Sequence, residues 1–307
     1  MTDFLELLTP EEKIVLTLRQ LYSNEGYKQY RMSKFEEYDL YAKNKSFLSS
    51  DNIITFNDTD GRLLALKPDV TLSIIKNTRA EDGTLRAYYN ENVYRAKGGV
   101  QSFREIMQSG VECIGDIGTK EVYESVALGI RALKALSSSY VLEVSHIDIL
   151  TGVLSHFGMS DDGMREIIKL VGEKNSSGAL AVLDSEGKGD SEKDMLRELI
   201  SLHISGKKLA PVLRKYALND SLRRSIDELL SLIEHLDKEG ICDNVYVDLS
   251  VVNNTRYYNG IAFRGFVPGV ARAVLIGGQY DKLLERMKRS GRAVGFAVYV
   301  DELARLG

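Results

Sequence analysis

VYVDLSVVNNTRYYNGIAFRGFVPGVARAVLIGGQYDKL, residues Val245–Leu283, is the stretch on which the fold turns. Val245, Val247 and Leu249 alternate with Tyr246, Asp248 and Ser250, the period of a half-buried strand. Asn253-Asn254-Thr255 interrupts the apolar pattern. Tyr257 to Phe266 is aromatic and β-branched again, and Pro268-Gly269 closes it as a turn. Val270 to Ile276 is a third apolar run, ended by Gly277-Gly278. The pattern predicts three short strands around turns, either a sheet that floors a small-molecule pocket or an antiparallel meander with its tyrosines in the core. Tyr257 and Tyr258 are adjacent, so as strand residues they point to opposite faces and at most one is expected in a pocket.

Working back along the chain, LKPDVTLSIIKNTR sets Pro68 between a strand end and a helix that starts near Asp69. Asp69 and Thr71 suit a helix start, where free backbone N–H groups need acceptors. Before it, IITFND and RLLAL flank Thr59-Asp60-Gly61 as a hairpin within 52–66. After it, Leu85 to Arg95 reads as a strand, followed by a loop at Gly98-Gly99 and a second strand, SFREIMQSGVECIG. On that strand Arg104, Ile106, Gln108, Gly110 and Glu112 share one face. A buried amide and carboxylate need partners, which a ligand or a solvated face would supply. Gln108 and Glu112 are four residues apart, about 13 Å by strand rise, so they approach a small ligand from different sides.

At the N-terminus Thr9-Pro10-Glu11-Glu12 opens a helix with a capping box, and Gly26 ends it before the strand at Tyr27-Lys28-Gln29-Tyr30. Thr119 to Leu136 is an amphipathic helix and Val141 to Ile147 a strand. His146 reads as a structural residue, because no second histidine or acid stands at a metal or triad spacing. From Thr151 to about Gly240 short helical runs alternate with Gly- and Ser-rich turns, and a longer helix covers Leu222 to Leu236. The basic residues there are accompanied by many acids, which describes a solvated helix surface. The chain closes with a helix from Tyr280 to Met287 and the strand and helix of RAVGFAVYVDELARLG.

The chain has 307 residues, with 40 basic and 44 acidic residues and a formal net charge of −4. That balance argues against a dedicated nucleic-acid binder. Cys113 and Cys242 are far apart with no metal-ligand spacing, which fits reduced thiols in a cytoplasmic protein. No apolar run reaches the roughly 18 residues of a membrane span, and the N-terminus does not read as a signal peptide.

TRYYNGIAF and IGGQYDKLL resemble the two histidine-specific signatures of histidyl-tRNA synthetases, approximately LVRGLDYYTG and GGGRYDGL. The resemblance extends over essentially the whole chain. The first helix and strand resemble class II motif 1, with Ser33 where its proline would stand, and imply self-association. LKPDVTLS is similar to the histidine loop LRPEGT, with Asp69 for Glu and Val70 for Gly. The strand–loop–strand of 85–115 resembles motif 2, with Arg95 at the position that holds the ATP α-phosphate. The last strand and helix resemble motif 3. The departures fall on cations: the catalytic arginine aligns with Asn253, the arginine of the second signature with Gln279, and the ATP-stacking arginine of motif 3 with Glu302. An anticodon-binding domain like that of the synthetases is not expected in this chain. With these departures the chain resembles the regulatory subunits of short-form ATP phosphoribosyltransferase, synthetase paralogues of histidine biosynthesis.

The resemblance implies an α+β fold, a class II synthetase-like antiparallel sheet flanked by helices. Residues 1–150 and 241–307 would form the core, and 151–240 a helical insertion. It implies a non-catalytic chain that completes a separate short catalytic subunit and carries feedback inhibition by histidine. No cofactor, metal or membrane is expected. The matched ligand contacts are Asp69, Thr71, Arg95, Gln108, Glu112, Tyr257 and Tyr258, with Asp69 and Glu112 meeting an ammonium and Arg95 a carboxylate or other anion. The alternative is a divergent synthetase-like enzyme that activates an amino acid.

Overall fold

The structure is a computed structural model that describes residues 4–48, 53–78, 83–96, 102–251 and 257–306. The Thr9 hydroxyl accepts from the Glu12 amide while the Glu12 carboxylate accepts from the Thr9 amide, the reciprocal capping box expected at the start of α1 (Pro10–Asn24). Gly26, at φ 82, supplies the left-handed turn that ends this segment. The chain then forms β1 (Lys28–Gln29), β2 (Phe35–Glu37) and α2 (Tyr38–Lys43). The expected hairpin follows as β3 (Thr55–Asn57) and β4 (Leu63–Leu66), and β2 adds to it as a three-stranded sheet. Next come α3 (Thr71–Asn77), the long strands β5 (Leu85–Ala96) and β6 (Phe103–Gly115), α4 (Thr119–Leu136) and β7 (Val141–His146).

Residues 151–240 are largely helical, as the Gly- and Ser-punctuated sequence predicts. They contain the end of α5 (Ile147–His156), α6 (Asp161–Gly172), α7 (Ser176–Ser185), α8 (Asp190–Ile200), β8 (His203–Ser205), α9 (Ala210–Leu213) and α10 (Asp220–Lys238). Ile167, Leu183, Leu199 and Leu229 of this segment belong to the same apolar cluster as the main sheet, and β8 pairs with its edge. The chain ends with β9 (Val245–Asp248), β10 (Asn259–Phe266), β11 (Leu275–Gln279), α11 (Asp281–Arg286), β12 (Arg292–Tyr299) and α12 (Val300–Ala304).

The main sheet has the order β1-β5-β6-β12-β11-β10-β7-β9-β8. Its six central strands, β5 to β7 in that order, are antiparallel neighbours, whereas β1 on β5 and β9 on β7 are parallel. Two details of the opening stretch differ from the sequence expectation. β9 is not hairpin-paired with β10, because β7 lies between them. β9 instead runs parallel to β7, which requires a long crossover, and residues 151–240 supply it. The third strand is Leu275–Gln279, so Gly277-Gly278 lies inside the strand rather than at its end. A Cβ on Gly277 would stand 2.5 Å from the Phe296 Cβ and 2.6 Å from the Gly295 carbonyl oxygen, so the glycine marks close packing and not a stop.

The two faces of the sheet have different cover. Val111, Phe263, Leu275, Phe296 and Val298 pack under Leu18 and Tyr22 of α1 and Val126, Ile130 and Leu133 of α4. On the other face Tyr89 meets Tyr41, Leu72, Ile75, Tyr257, Tyr280 and Leu283, from α2, α3 and the segments around α11. This second cover is partial, and the gap in it is the candidate site. Cys113 and Cys242 are buried free thiols. Among the described residues no helix is long and apolar enough to cross a membrane, and no group of three His, Cys, Asp or Glu is placed to hold a metal ion.

Candidate functional site

Small residues make the floor of the site. Across the strands Glu112 pairs with Gly295, Gly295 with Gly278, and Gly278 with Ala262; one pleat along, Gly110 pairs with Ala297. A row of glycine and alanine leaves room above a sheet where larger side chains would fill it. The resulting cavity has a volume of about 260 Å³ and is lined by Asp69, Thr71, Arg95, Gln108, Glu112, Tyr257 and Tyr258, among others. The seven residues singled out in the sequence therefore come together around one space.

Glu112 is the most constrained of them. It is 3% exposed. The Thr71 hydroxyl donates to its Oε1 at 2.6 Å, and the Tyr280 hydroxyl donates to its Oε2. Burial pushes its carboxyl up to about 8, against the two hydrogen bonds, which pull it down. The neighbouring Asp69 adds to the upward push. Gly295 is what admits this side chain, since a Cβ there would clash with the Glu112 carboxylate and the Val111 carbonyl oxygen. Gly295→Ala is expected to destabilise the chain by about 1–3 kcal/mol, the usual cost of overpacking against backbone. A denaturant-unfolding midpoint equal to that of the unmodified chain would show that the sheet yields at this point.

Asp69 precedes α3, and its carboxylate accepts from the Leu72 amide at 2.9 Å, as the helix-start reading predicts. Burial raises its carboxyl above the usual range, while Arg95 pulls the other way. On β5, the Arg95 Nε donates to the Pro68 carbonyl at 2.9 Å, which ties the strand to the loop before α3. Burial works against the Arg95 charge, and Tyr299 and Asp69 together keep it charged. Gln108 is 3% exposed and makes no side-chain hydrogen bond among the described residues. A buried amide without a partner in the fold is one that water or a ligand can satisfy.

The two tyrosines depart from expectation. Both Tyr257 and Tyr258 line the cavity. The alternation rule does not apply to them, because β10 begins at Asn259 and the pair lies in the preceding turn. Their ring centroids are 4.7 Å apart in an edge-on arrangement, and Tyr257 also packs on Tyr280 at 5.7 Å. Gln279 has a structural task. Its Oε1 accepts from the Ile261 amide at 2.7 Å, beside the register shift between β10 and β11. Asn253, the Asn253-Asn254-Thr255 break, the Gly98-Gly99 loop and the start of the hairpin at Asn52 lie outside the described residues.

The histidyl-tRNA synthetase family model matches residues 6–303. The chain belongs to the histidyl-tRNA synthetase family. Within it, the chain is 31% identical to the ATP phosphoribosyltransferase regulatory subunit of Caldanaerobacter subterraneus subsp. tengcongensis, over 93% of this chain and 75% of that protein. Among solved structures it is similar to an ATP phosphoribosyltransferase regulatory subunit/histidyl-tRNA synthetase from Bacillus halodurans. That match has a TM-score of 0.84 and 26% identity and covers 96% of this chain and 78% of the other. It also shares its fold with a chain of the ATP phosphoribosyl transferase (HisG:HisZ) complex from Thermotoga maritima. There the TM-score is 0.73 and the identity 16%, covering 94% of this chain and 96% of the other. The class II synthetase-like α+β fold expected from the motifs is the fold observed.

Within this family frame the remaining motif positions find places. Glu302, where motif 3 has its arginine, lies on α12 and accepts from Arg305 Nη1 at 3.0 Å. It lines a second cavity beside the first. His146 is buried, with Nε2 3.4 Å from Glu228 Oε2 and Nδ1 without a hydrogen-bond partner among the described residues. Sequence reasoning missed Tyr280, the second hydroxyl on Glu112, although its signature was in view. It also missed Tyr89 and Tyr299, which line the cavity from β5 and β12.

Proposed function

We propose that this chain is the regulatory subunit of a hetero-oligomeric ATP phosphoribosyltransferase whose catalytic site sits on another chain, and that its Glu112 cavity takes histidine as feedback effector. One observation carries the ligand reading. Two carboxyl groups, Asp69 and Glu112, two guanidinium groups, Arg95 and the Glu143-paired Arg264, and one uncommitted amide, Gln108, surround a single cavity of about 260 Å³. That is below the roughly 300–1,000 Å³ of pockets for drug-sized ligands. A free amino acid brings an ammonium for the acids and a carboxylate for the Arg95 guanidinium, and the amide and tyrosine hydroxyls suit an imidazole. The regulatory reading draws support from the family and from the names of its members.

In this reading the chain self-associates through the groove beside α1, where Val15, Leu16 and Arg19 face Asn92 and Met107. It works in the cytoplasm beside its catalytic partner. The test is reconstitution with a short-form catalytic ATP phosphoribosyltransferase chain. Adding this chain is expected to raise phosphoribosyl transfer to ATP at least tenfold, and histidine is expected to reverse the rise. A catalytic rate independent of this chain at every mixing ratio would end the regulatory reading, and activation without histidine reversal would end the effector reading alone.

A further inference from the structure

Two cavities lie side by side on the open face of the sheet and share part of their lining. The first is the Glu112 cavity. The second, of about 640 Å³, is lined by Arg104, Arg264, Arg272 and Arg305 and by the acids Glu105, Asp301 and Glu302. Arg264, Ile276 and Tyr299 line both. Arg264 and Ile276 are register partners on β10 and β11 and make a floor common to the two. Tyr299 is the last residue of β12, opposite Gln108 of β6. It lines the first cavity together with Arg95, whose Nε is held by the Pro68 carbonyl.

The second cavity is chemically unlike the first. Arg264 is committed to Glu143 at 2.6 Å and Arg305 to Glu302. Arg104 and Arg272 make no ion pair among the described residues. Glu105 and Asp301 line the same space and likewise make no ion pair among the described residues, so the cavity carries charges of both signs and an unobstructed groove would admit a zwitterion extended on its carboxyl side.

We propose that Tyr299 partitions the groove and makes the Glu112 cavity selective for a free α-amino acid over one extended through its carboxyl group. The proposal rests on the histidine reading given above and adds to it the residue that sets the length limit. Arg95 is the candidate carboxylate partner, so the carboxyl end of the ligand faces the Tyr299 ring. Anything joined to that carboxyl must pass where the ring stands. Tyr299 acts here by the bulk of its ring.

The test compares L-histidine with the dipeptide histidyl-glycine by titration calorimetry on the full chain. The dipeptide keeps the ammonium and imidazole and moves the carboxylate outward, toward Arg104 and Arg272. The unmodified chain is expected to prefer histidine by at least about a hundredfold, as steric exclusion from a packed site commonly costs more than ~2.7 kcal/mol. Tyr299→Ala is expected to narrow that ratio at least tenfold, mainly by gaining affinity for the dipeptide. Tyr299→Phe keeps the ring and is expected to keep the exclusion. It also serves as the folded control if the alanine variant unfolds. Equal binding of the two ligands by the unmodified chain overturns the partition and leaves the histidine reading standing. An unchanged ratio in Tyr299→Ala, or a collapsed ratio in Tyr299→Phe, overturns it as well. No binding of histidine to the unmodified chain overturns the histidine reading and the partition together.

Discussion

Glu112→Gln is expected to weaken histidine binding about tenfold at pH 7 and up to about a hundredfold above pH 8, and to remove most of the pH dependence of binding. The span follows from the loss of a charge-assisted hydrogen bond, on the order of 1.5–3 kcal/mol. The pH dependence follows from burial. The Glu112 carboxyl is pushed up to about 8, so below that pH the empty cavity holds it mostly neutral. An ammonium ligand needs it ionised. Binding below pH 8 therefore expels a proton, and affinity falls by up to tenfold for each unit that pH drops. Glutamine cannot ionise, so the variant lacks both the strong contact and its pH cost, which is why the two chains diverge as pH rises. The imidazole of histidine titrates in both experiments and cancels in the comparison. Calorimetry in buffers of different ionisation enthalpy reads the proton directly: close to one released by the unmodified chain near pH 7, and none attributable to position 112 in the variant. Identical proton counts would remove Glu112 from the ligand.

The same group affects the empty chain. Glu112 holds its proton more tightly folded than unfolded, where the ordinary value is 4.5. Its contribution to stability is therefore fully present below about 4.5 and is lost as pH rises toward about 8. Glu112→Gln takes away that slope. A structural partner of Thr71 and Tyr280 would give a different result, with a lower melting temperature in the variant and unchanged histidine binding. Measuring both quantities on one variant separates the two roles.

Much of this arrangement was legible in the sequence because its chemistry is local or periodic. The capping box at Thr9 and the helix over 119–136 are set by neighbours a few residues away. The common face of Gln108 and Glu112 follows from the strand period alone. The motifs then joined distant positions, so that Asp69 and Thr71 of one segment were expected beside Glu112 of another. What escaped notice depends on how strands pair and where they begin. Tyr257 and Tyr258 both face the cavity because β10 starts one residue after them, a boundary that residue types do not mark. β7 separates β9 from β10 because the crossover spans residues 151–240, and local alternation carries no information about such a partner. Gly277-Gly278 read as a stop because glycine often ends a strand; here neighbouring backbone and aromatic atoms require it within one. Tyr299 drew no notice, since a tyrosine at a strand end is unremarkable until the cavities on either side are known.

The chain is expected to give no histidine-dependent exchange of pyrophosphate into ATP. Amino-acid activation develops negative charge between the α-phosphate and the attacking carboxylate, and fixed cations are what stabilise it. In the synthetases that this chain resembles, arginines stand at the positions of Asn253 and Glu302. Each such contact is commonly worth about 10²–10³ in rate, so the loss of two implies about 10⁴–10⁶. Glu302 goes further than a lost cation. Its carboxylate lines the cavity next to the Glu112 site and is already paired with Arg305, so it sets an anion where a triphosphate would need the opposite charge. Restoring one arginine is not sufficient on this account, because Glu302→Arg leaves Asn253 in place. The single variant is therefore expected to stay at the level of a control without histidine. Exchange by the unmodified chain within about a hundredfold of an ordinary synthetase would show that other cations, Arg95 and Arg264 first among them, carry the charge. It would also return the amino-acid-activating reading to the front.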